Sequence, residues 1–361
     1  MIDGLIVRAY IADKNAFIDG WIRKSKGKYF FEPSSKKLQP EVYASPGFID
    51  MHTHFFDGFG LFGTNADEIG YKTGTCMLAE SGTVGEYTID GFRKYIAPTI
   101  RTNFTLFLCI SPIGVIYHHE YNAMEYLSVE KTVKCVRENH DLISGIKVRI
   151  GSEVIRHEGI EPLKIAAEAA RELSLPKQVH IGGNPPYITE IEPYMYRGDI
   201  ITHCFNARGG DMWESDGTPA PATQAMLRRG VIFDVGHGGG SFSFDVAEKA
   251  IKNGSLPKMT IGSDLHKQSR KKYCIDLPTL LTKMYGIGLP LEDILYGITK
   301  LPAKILRLNG WCDMDRELKN ITFFKVIDQS DTYIDCENSS RIFHKAIKPI
   351  GVILKGKYIA V

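Results

Sequence analysis

The hydrophobic pattern of the chain changes at Gly47, where short apolar runs begin to alternate with amphipathic segments. The apolar runs have the length and β-branched content of buried strands, and the amphipathic segments repeat apolar residues with a helical period. The predicted strands lie at residues 47–51, 75–80, 104–110, 142–149, 178–181, 199–203, 231–235 and 259–263. The predicted helices lie at residues 89–96, 129–138, 162–173, 223–229, 244–253 and 277–285.

Eight strands that alternate with helices over this length predict the α/β class and a (β/α)8 TIM barrel. A doubly wound open sheet is the alternative fold. It is less favoured, because no Gly-x-Gly-x-x-Gly motif follows an early strand.

Both ends of the chain show a different pattern, with short β-like segments separated by charged turns. These segments lie at residues 5–10, 17–23, 28–31, 320–328 and 348–361. We therefore predict that the two ends pair into a small β-sandwich-like domain, residues 1–46 plus 310–361. It would lie beside a barrel domain of residues 47–309.

Composition and charge exclude several classes of partner. The chain has 361 residues, 44 of them basic and 42 acidic, so its net charge of +2 does not favour nucleic acid or anionic lipid. Seven scattered cysteines without a Cys-x-x-Cys motif argue against a disulfide framework and a thiolate zinc site. With no signal-peptide pattern and no apolar run long enough for a bilayer, we predict a cytoplasmic protein without a membrane partner.

Residues that can bind metals lie at the carboxyl ends of the predicted strands, where TIM barrels carry their chemistry. His52 and His54 end the first strand, and residues i and i+2 of a strand point to the same side. The later strands contribute Lys147, His180, His203 and Asp264. A strand-end histidine is more often a hydrogen-bonded core residue, and a strand-end aspartate often caps a helix. The occurrence of all six at one end of the barrel favours a metal site.

These residues resemble those of the amidohydrolase superfamily of metal-dependent hydrolases. The resemblance covers the whole chain and includes PGFIDMHTH at residues 46–54 and LPA at residues 301–303. Three further motifs are similar to those of the dihydroorotase-like amidohydrolase/deacetylase group. They are GIKVR at 145–149, THCFN at 202–206 and DVGHG at 234–238.

The resemblance implies two divalent metal ions, with zinc expected. His52, His54 and Asp264 would bind the more buried ion, and His180 and His203 the second. Lys147 would bridge both ions as a carboxylated lysine, because an unmodified ammonium would be repelled by two dications. A carbamate could bridge metals about 3.5–4 Å apart. The alternative for Lys147 is a solvated lysine beyond the strand.

The implied reaction begins with attack of a metal-bridging hydroxide on a carbonyl carbon, with Asp264 as the proton shuttle. We assign His237, which precedes three glycines, a catalytic role in orienting the substrate, and a purely structural role is equally open. Arg149 and Arg208 are candidates to bind a substrate carboxylate, since arginine suits bidentate recognition. Both could equally form surface salt bridges.

The predicted activity is that of a hydrolase acting on carbon–nitrogen bonds other than peptide bonds. It would cleave an amide or ester bond of a small-molecule acyl compound, in the manner of an N-acyl amino acid deacetylase. A cyclic amide hydrolase of the dihydroorotase or hydantoinase type is the alternative. A mononuclear deaminase and a non-catalytic scaffold are less favoured, because every ligand position is filled. A homo-oligomer is possible.

Two features fall outside this pattern. His118, His119 and Glu120 follow the third strand, and we interpret them as a solvated loop. Glu80 ends the second strand where an aspartate is more usual in the family, and the sequence assigns it no role.

Overall fold

The computed structural model describes residues 2–209, 211–254 and 256–361, which form two seven-stranded sheets with helices around one of them. The strands are β1 (Leu5–Ile11), β2 (Ala16–Ser25), β3 (Lys28–Pro33), β4 (Val42–Pro46), β5 (Phe48–Thr53), β6 (Thr75–Ser81), β7 (Asn103–Cys109), β8 (Ile143–Ile150), β9 (Lys177–Ile181), β10 (Ile200–Thr202), β11 (Ile232–Asp234), β12 (Ile321–Ile334), β13 (Ser340–Leu354) and β14 (Lys357–Ala360). The helices are α1 (Ala66–Ile69), α2 (Ile89–Gly91), α3 (Val129–Glu138), α4 (Glu161–Leu173), α5 (Ile188–Ile191), α6 (Pro221–Arg229), α7 (Phe244–Asn253), α8 (Leu277–Gly286), α9 (Leu291–Ile298) and α10 (Lys300–Ile305).

The larger sheet is parallel, and β5 to β11 lie in it in chain order. Every residue of β5 and β6 is buried, as expected for strands covered on both faces. Helices α3, α4 and α7 pack their apolar faces on this sheet through residues such as Val133, Leu163 and Ala247. The predicted TIM-barrel class is confirmed, and its parallel strands point their carboxyl ends to one edge.

The strand predicted at residues 259–263 does not form as a regular strand, and this part of the prediction is wrong. The segment closes the barrel through single parallel bridges, Asp234 to Thr260 on one side and Thr53 to Leu265 on the other. Side-chain carboxylates accept hydrogen bonds from backbone N–H groups that would bond to carbonyl oxygens in a regular β-ladder. Asp234 accepts from Gly262 N at 2.8 Å, and Asp50 accepts from Ser263 N at 3.0 Å.

The smaller sheet contains both ends of the chain, in the order β14-β13-β12-β4-β1-β2-β3. It is one continuous mixed sheet in which β4, from the N-terminal part, pairs antiparallel with β12. Its own core includes Val7, Ile22 and Phe323. The pairing of the two chain ends into a separate sheet is therefore confirmed. We propose residues 1–46 with 310–361 and residues 47–309 as the two domains.

Gly47 connects the two sheets, since it lies between β4 and β5. A Cβ atom at this position would lie 2.6 Å from Cys76 Cβ, far closer than side chains can pack. The close approach of β5 to β6 therefore requires glycine here.

Five of the six predicted helices form within two residues of their predicted bounds; the exception lies near Pro98, and the short helices α1 and α5 were not predicted. Helices α3 and α7 have the predicted bounds. The helix predicted at residues 89–96 is only α2, followed by the π-helical turn Phe92–Ile96. Pro98, which has no backbone N–H to donate, lies directly after this turn.

All seven cysteines are free thiols, as their spacing predicts. Within the described ranges, no helix has the combination of length and apolarity that crossing a bilayer requires.

Candidate metal centre

The predicted metal ligands meet at the carboxyl edge of the parallel sheet. His52 lies in β5, Lys147 in β8 and His180 in β9, while His203 directly follows β10. Asp264 lies in the closing segment, where its backbone N–H donates to His52 O at 2.7 Å. The barrel closure itself therefore brings Asp264 to the first strand.

Asp264 joins the two histidines of the His-x-His motif. Its Oδ1 atom lies 2.9 Å from His54 Nε2 and 3.4 Å from His52 Nε2. Ligand atoms of His52, His203 and Asp264 all lie within 4.8 Å of one another, and this His/His/Asp cluster fits a metal site.

His180 and His203 form the other side of the cluster, with His203 Nε2 2.7 Å from His180 Nδ1. Each outer ring nitrogen faces an acceptor: His203 Nδ1 donates to Gly236 O at 2.6 Å, and His180 Nε2 to Glu153 Oε1 at 2.8 Å. Neutral rings that donate in this way have lone pairs on their inner nitrogens, which are the ligand form of imidazole. At 2.7 Å these two lone pairs repel each other, and a bound cation would relieve that repulsion.

Electrostatics keep these imidazoles neutral. Burial lowers the pKa of His180 to about 4 and that of His203 to about 3. Although burial acts in the opposite direction on the acid, the hydrogen bond from His180 holds the pKa of Glu153 below its ordinary value. Neutral rings beside ionised carboxylates are the state in which the site can accept a cation.

Lys147 is fully buried beside this cluster. Its Nζ donates to Gln178 Oε1 at 3.0 Å and lies 3.1 Å from His52 Nε2. Within the described part of the chain it forms no ion pair with a carboxylate, and burial lowers its pKa to about 8. The alternative of a solvated lysine is wrong, because the strand period turns this side chain into the barrel.

Four residues around the predicted ligands were assigned no role from the sequence. Gln178 precedes His180 by two residues, so the period-two rule could have placed it on the same face. Asp234 accepts from Thr202 Oγ1 at 2.6 Å and lies 3.3 Å from His52 Nδ1. Glu153 lies in the loop after β8, where no periodic pattern marks it.

Glu80 is the fourth of these residues. Its buried carboxylate accepts from the backbone N–H groups of Gly82, Thr83 and Val84 at 3.0–3.3 Å. Its Oε1 atom also lies 3.7 Å from His54 Nδ1. Glu80, in place of the more usual aspartate, therefore binds the backbone of the loop after β6 and also faces His54, a predicted ligand.

His237 is enclosed by groups outside the ligand cluster. Its Nδ1 lies 3.0 Å from Gly238 O, its Nε2 lies 2.8 Å from Lys283 Nζ, and its ring stacks on Phe242. Both ring nitrogens are occupied, which favours the structural alternative. A role in orienting the substrate stays a prediction.

The two arginines differ in environment. Arg149 is buried, and its Nε lies 3.6 Å from Glu120 Oε1. Arg208 is exposed at the rim, beside Gly240. The prediction of a solvated loop is wrong for Glu120, whose side chain is fully buried because it faces Arg149; His118 is exposed as expected.

Individual relatives identify the family of this chain, although no model of a known protein family matches it. It is 31% identical to Deacetylase Atu3266 of Agrobacterium fabrum over 332 residues, which are 88% of this chain and 80% of the relative. It is 32% identical to a deacetylase of Enterococcus faecalis over 326 residues, 89% of this chain and 87% of the relative.

Two solved structures superpose over nearly the whole chain. A dihydroorotase has a TM-score of 0.87 at 27% identity and covers 98% of this chain and 96% of its own. An adenine deaminase has a TM-score of 0.89 at 28% identity and covers 99% of this chain and 100% of its own. The chain belongs to the amidohydrolase superfamily. As such it is a hydrolase that acts on carbon–nitrogen bonds other than peptide bonds.

Proposed function

We propose that this amidohydrolase is a binuclear metal-dependent deacetylase that cleaves an amide or ester bond of a small acyl compound. The observation that carries the proposal is the convergence of His52, His203 and Asp264 beside the buried Lys147, which forms no ion pair with a carboxylate of the described residues. Similarity to two curated deacetylases supports the type of reaction.

Two zinc ions are the proposed cofactors. His52, His54 and Asp264 would hold one ion, and His180 and His203 the other, as their inward-facing nitrogens suggest. Lys147 would bridge both after its neutral amine adds to CO2, which forms an N–C bond and releases one proton. The resulting carbamate would supply the anion that the buried site lacks at Lys147.

Asp264 would move the proton during hydrolysis. When bound, the metal ions would lower the pKa of a water molecule and polarise the substrate carbonyl. Although burial would raise the pKa of Asp264, its contacts with His52 and His54 hold it well below its ordinary value, so the side chain is ionised. The carboxylate can therefore accept a proton from the attacking water and donate it to the leaving nitrogen or oxygen.

N-acyl amino acids are the proposed substrates, since the named relatives are deacetylases. A cyclic amide hydrolase is the second candidate, because the superposed dihydroorotase shares the fold at 27% identity. Cytoplasmic location and assembly as a homo-oligomer stay predictions.

Metal analysis and turnover of an Asp264→Asn variant test the proposal together. We expect about two divalent ions per wild-type chain after treatment with zinc and bicarbonate, and hydrolysis of members of a panel of N-acetyl amino acids, acetyl esters and cyclic amides. The variant should retain most metal and lose turnover by about 10³-fold or more, because it lacks the proton carrier. Wild-type turnover by the variant, or metal-free wild-type protein under every treatment, would contradict the proposal.

A further inference from the structure

Arg149 and Glu120 form a buried charged pair that the proposed mechanism does not use. The Arg149 side chain is 8% exposed, the Glu120 side chain is fully buried, and Nε lies 3.6 Å from Oε1. Desolvation of two charges costs several kcal/mol per ion, and an apolar pair of similar volume would often stabilise a fold better. Stability alone is therefore a poor explanation for this pair.

The position of Arg149 places its guanidinium beside the ligand cluster. Arg149 follows Lys147 by two residues in β8, so both side chains point into the barrel, with Arg149 about 6–7 Å nearer the open end. In the neighbouring strand Arg149 pairs with His180. The Phe62 ring lies 5.9 Å from Arg149 Cζ and 6.0 Å from the His54 ring, which places the guanidinium and the histidines around one space.

The hydrogen bonding of this pair is incomplete. Glu120 Oε1 and Oε2 and Arg149 Nε are buried and have no hydrogen-bond partner among the described residues. The shortest contact of Glu120 with the guanidinium is at Nε, and among the described residues no second carboxylate forms an ion pair with Arg149. Arginine held in this way can present two parallel N–H donors, which match a carboxylate.

We propose that Arg149 binds a carboxylate of the substrate and that Glu120 is the positioning residue that fixes the guanidinium. The substrate is then a short acyl compound whose carboxylate lies close to the scissile bond, such as an N-acyl α-amino acid or an O-acyl α-hydroxy acid. Uncharged amides and cyclic amides without a carboxylate are poor substrates. This inference rests on the proposed metal centre, which places the scissile carbonyl beside Lys147.

Binding to an inactive holoenzyme tests the inference separately from turnover. The Asp264→Asn variant, with its metal content verified, is titrated by calorimetry with an N-acetyl α-amino acid and with the corresponding carboxamide. We expect the acid to bind more tightly, and Arg149→Met to weaken its binding by about 10- to 100-fold, with a change of less than about threefold for the carboxamide. Arg149→Lys, which retains a point charge, should show a smaller loss.

A matched control is Arg229→Met. Arg229 forms an ion pair with Glu192 in another part of the fold, so its loss should leave the ratio of acid to carboxamide affinity unchanged. Equal affinity for both ligands, or a wild-type ratio in Arg149→Met, would overturn the inference. Because no catalysis is needed, a wild-type enzyme inactive on every acyl compound would refute the proposed function while this ratio still decides the role of Arg149.

Glu120 is tested through the same ratio. Glu120→Asp keeps the charge but shortens the side chain, so the guanidinium should be less well fixed and the ratio should fall by about threefold to tenfold. The same change in the Arg149→Met background should have no further effect on the ratio. An equal fall in both backgrounds would show that Glu120 acts on the fold and not through Arg149.

Discussion

Two fully buried lysines in neighbouring strands, Lys147 in β8 and Lys177 in β9, differ in every polar contact. Lys177 forms an ion pair with the Asp199 carboxylate and also lies over the Tyr196 ring. Among the described residues, the hydrogen-bond contacts of Lys147 are to neutral groups, the Gln178 amide and the His52 ring. The charge of Lys177 is compensated by a carboxylate, whereas Lys147 forms no ion pair with a carboxylate of the described residues.

This difference favours Lys147 over Lys177 for the chemistry that we propose. An ammonium paired with a carboxylate stays protonated, whereas burial without a carboxylate favours the neutral amine. Both lysines are buried, so burial alone does not distinguish them. The partner does: Lys177 has a carboxylate and is interpreted as structural, whereas Lys147 has an amide and is the lysine that we propose as reactive.

Lys147→Met should have the largest effect on activity. We expect bound metal to fall from about two ions to one or fewer per chain, and turnover to fall by about 10³-fold or more, since metal polarisation supplies several kcal/mol. The metal-free variant should be at least as stable as the metal-free wild type, because no ammonium is buried. Elemental analysis, turnover and thermal unfolding measure the three outcomes, and unchanged metal content would show that Lys147 is not a ligand.

Lys177→Met should lower stability and leave the metal content unchanged, the reverse of what we expect for Lys147→Met. Removal of one partner leaves the Asp199 carboxylate buried and unpaired, so the free energy of unfolding should fall by about 3–5 kcal/mol. Metal content per folded chain should not change. Denaturant unfolding measures the loss. The Lys177→Met/Asp199→Asn double variant should recover part of it, because the amide oxygen is uncharged and can still accept from a backbone N–H group that Asp199 binds. A double variant no more stable than the single one would argue against the ion pair as the cause.

Glu153→Gln should have the smallest effect of the three. The amide can still contact His180 but no longer favours the tautomer with its lone pair turned inward, so metal affinity should fall by about 10- to 100-fold. Competition with a metal chelator measures this change. Stability without metal should stay within about 0.5 kcal/mol, because Glu153 is partly exposed. Wild-type metal affinity would indicate that Glu153 does not orient His180.

The sequence predicted those parts of the site that depend on strand period. His52, His54, Lys147, His180 and His203 lie in strands or at their ends, so alternation and barrel topology suffice to bring them together. Asp264 was placed correctly although its strand is irregular, since the closing segment still reaches β5.

The sequence missed those residues whose positions depend on loops. Glu153 and Glu120 reach the site from segments without periodic pattern, and only the folded chain shows their contacts with His180 and Arg149. Glu120 was misassigned because a polar run of His118, His119 and Glu120 is typical of solvated loops. Composition cannot show that one carboxylate of such a run turns inward toward a buried cation.

The closing segment has a thermodynamic consequence for the whole protein. Asp234 and Asp50 join this segment to the barrel, and Asp234 also faces His52, so the seam of the barrel and the ligand cluster share residues. Opening the seam would separate Asp264 from His52 and His54. A cation bound there would therefore stabilise the closed barrel, because its binding free energy adds to the stability of the closed state.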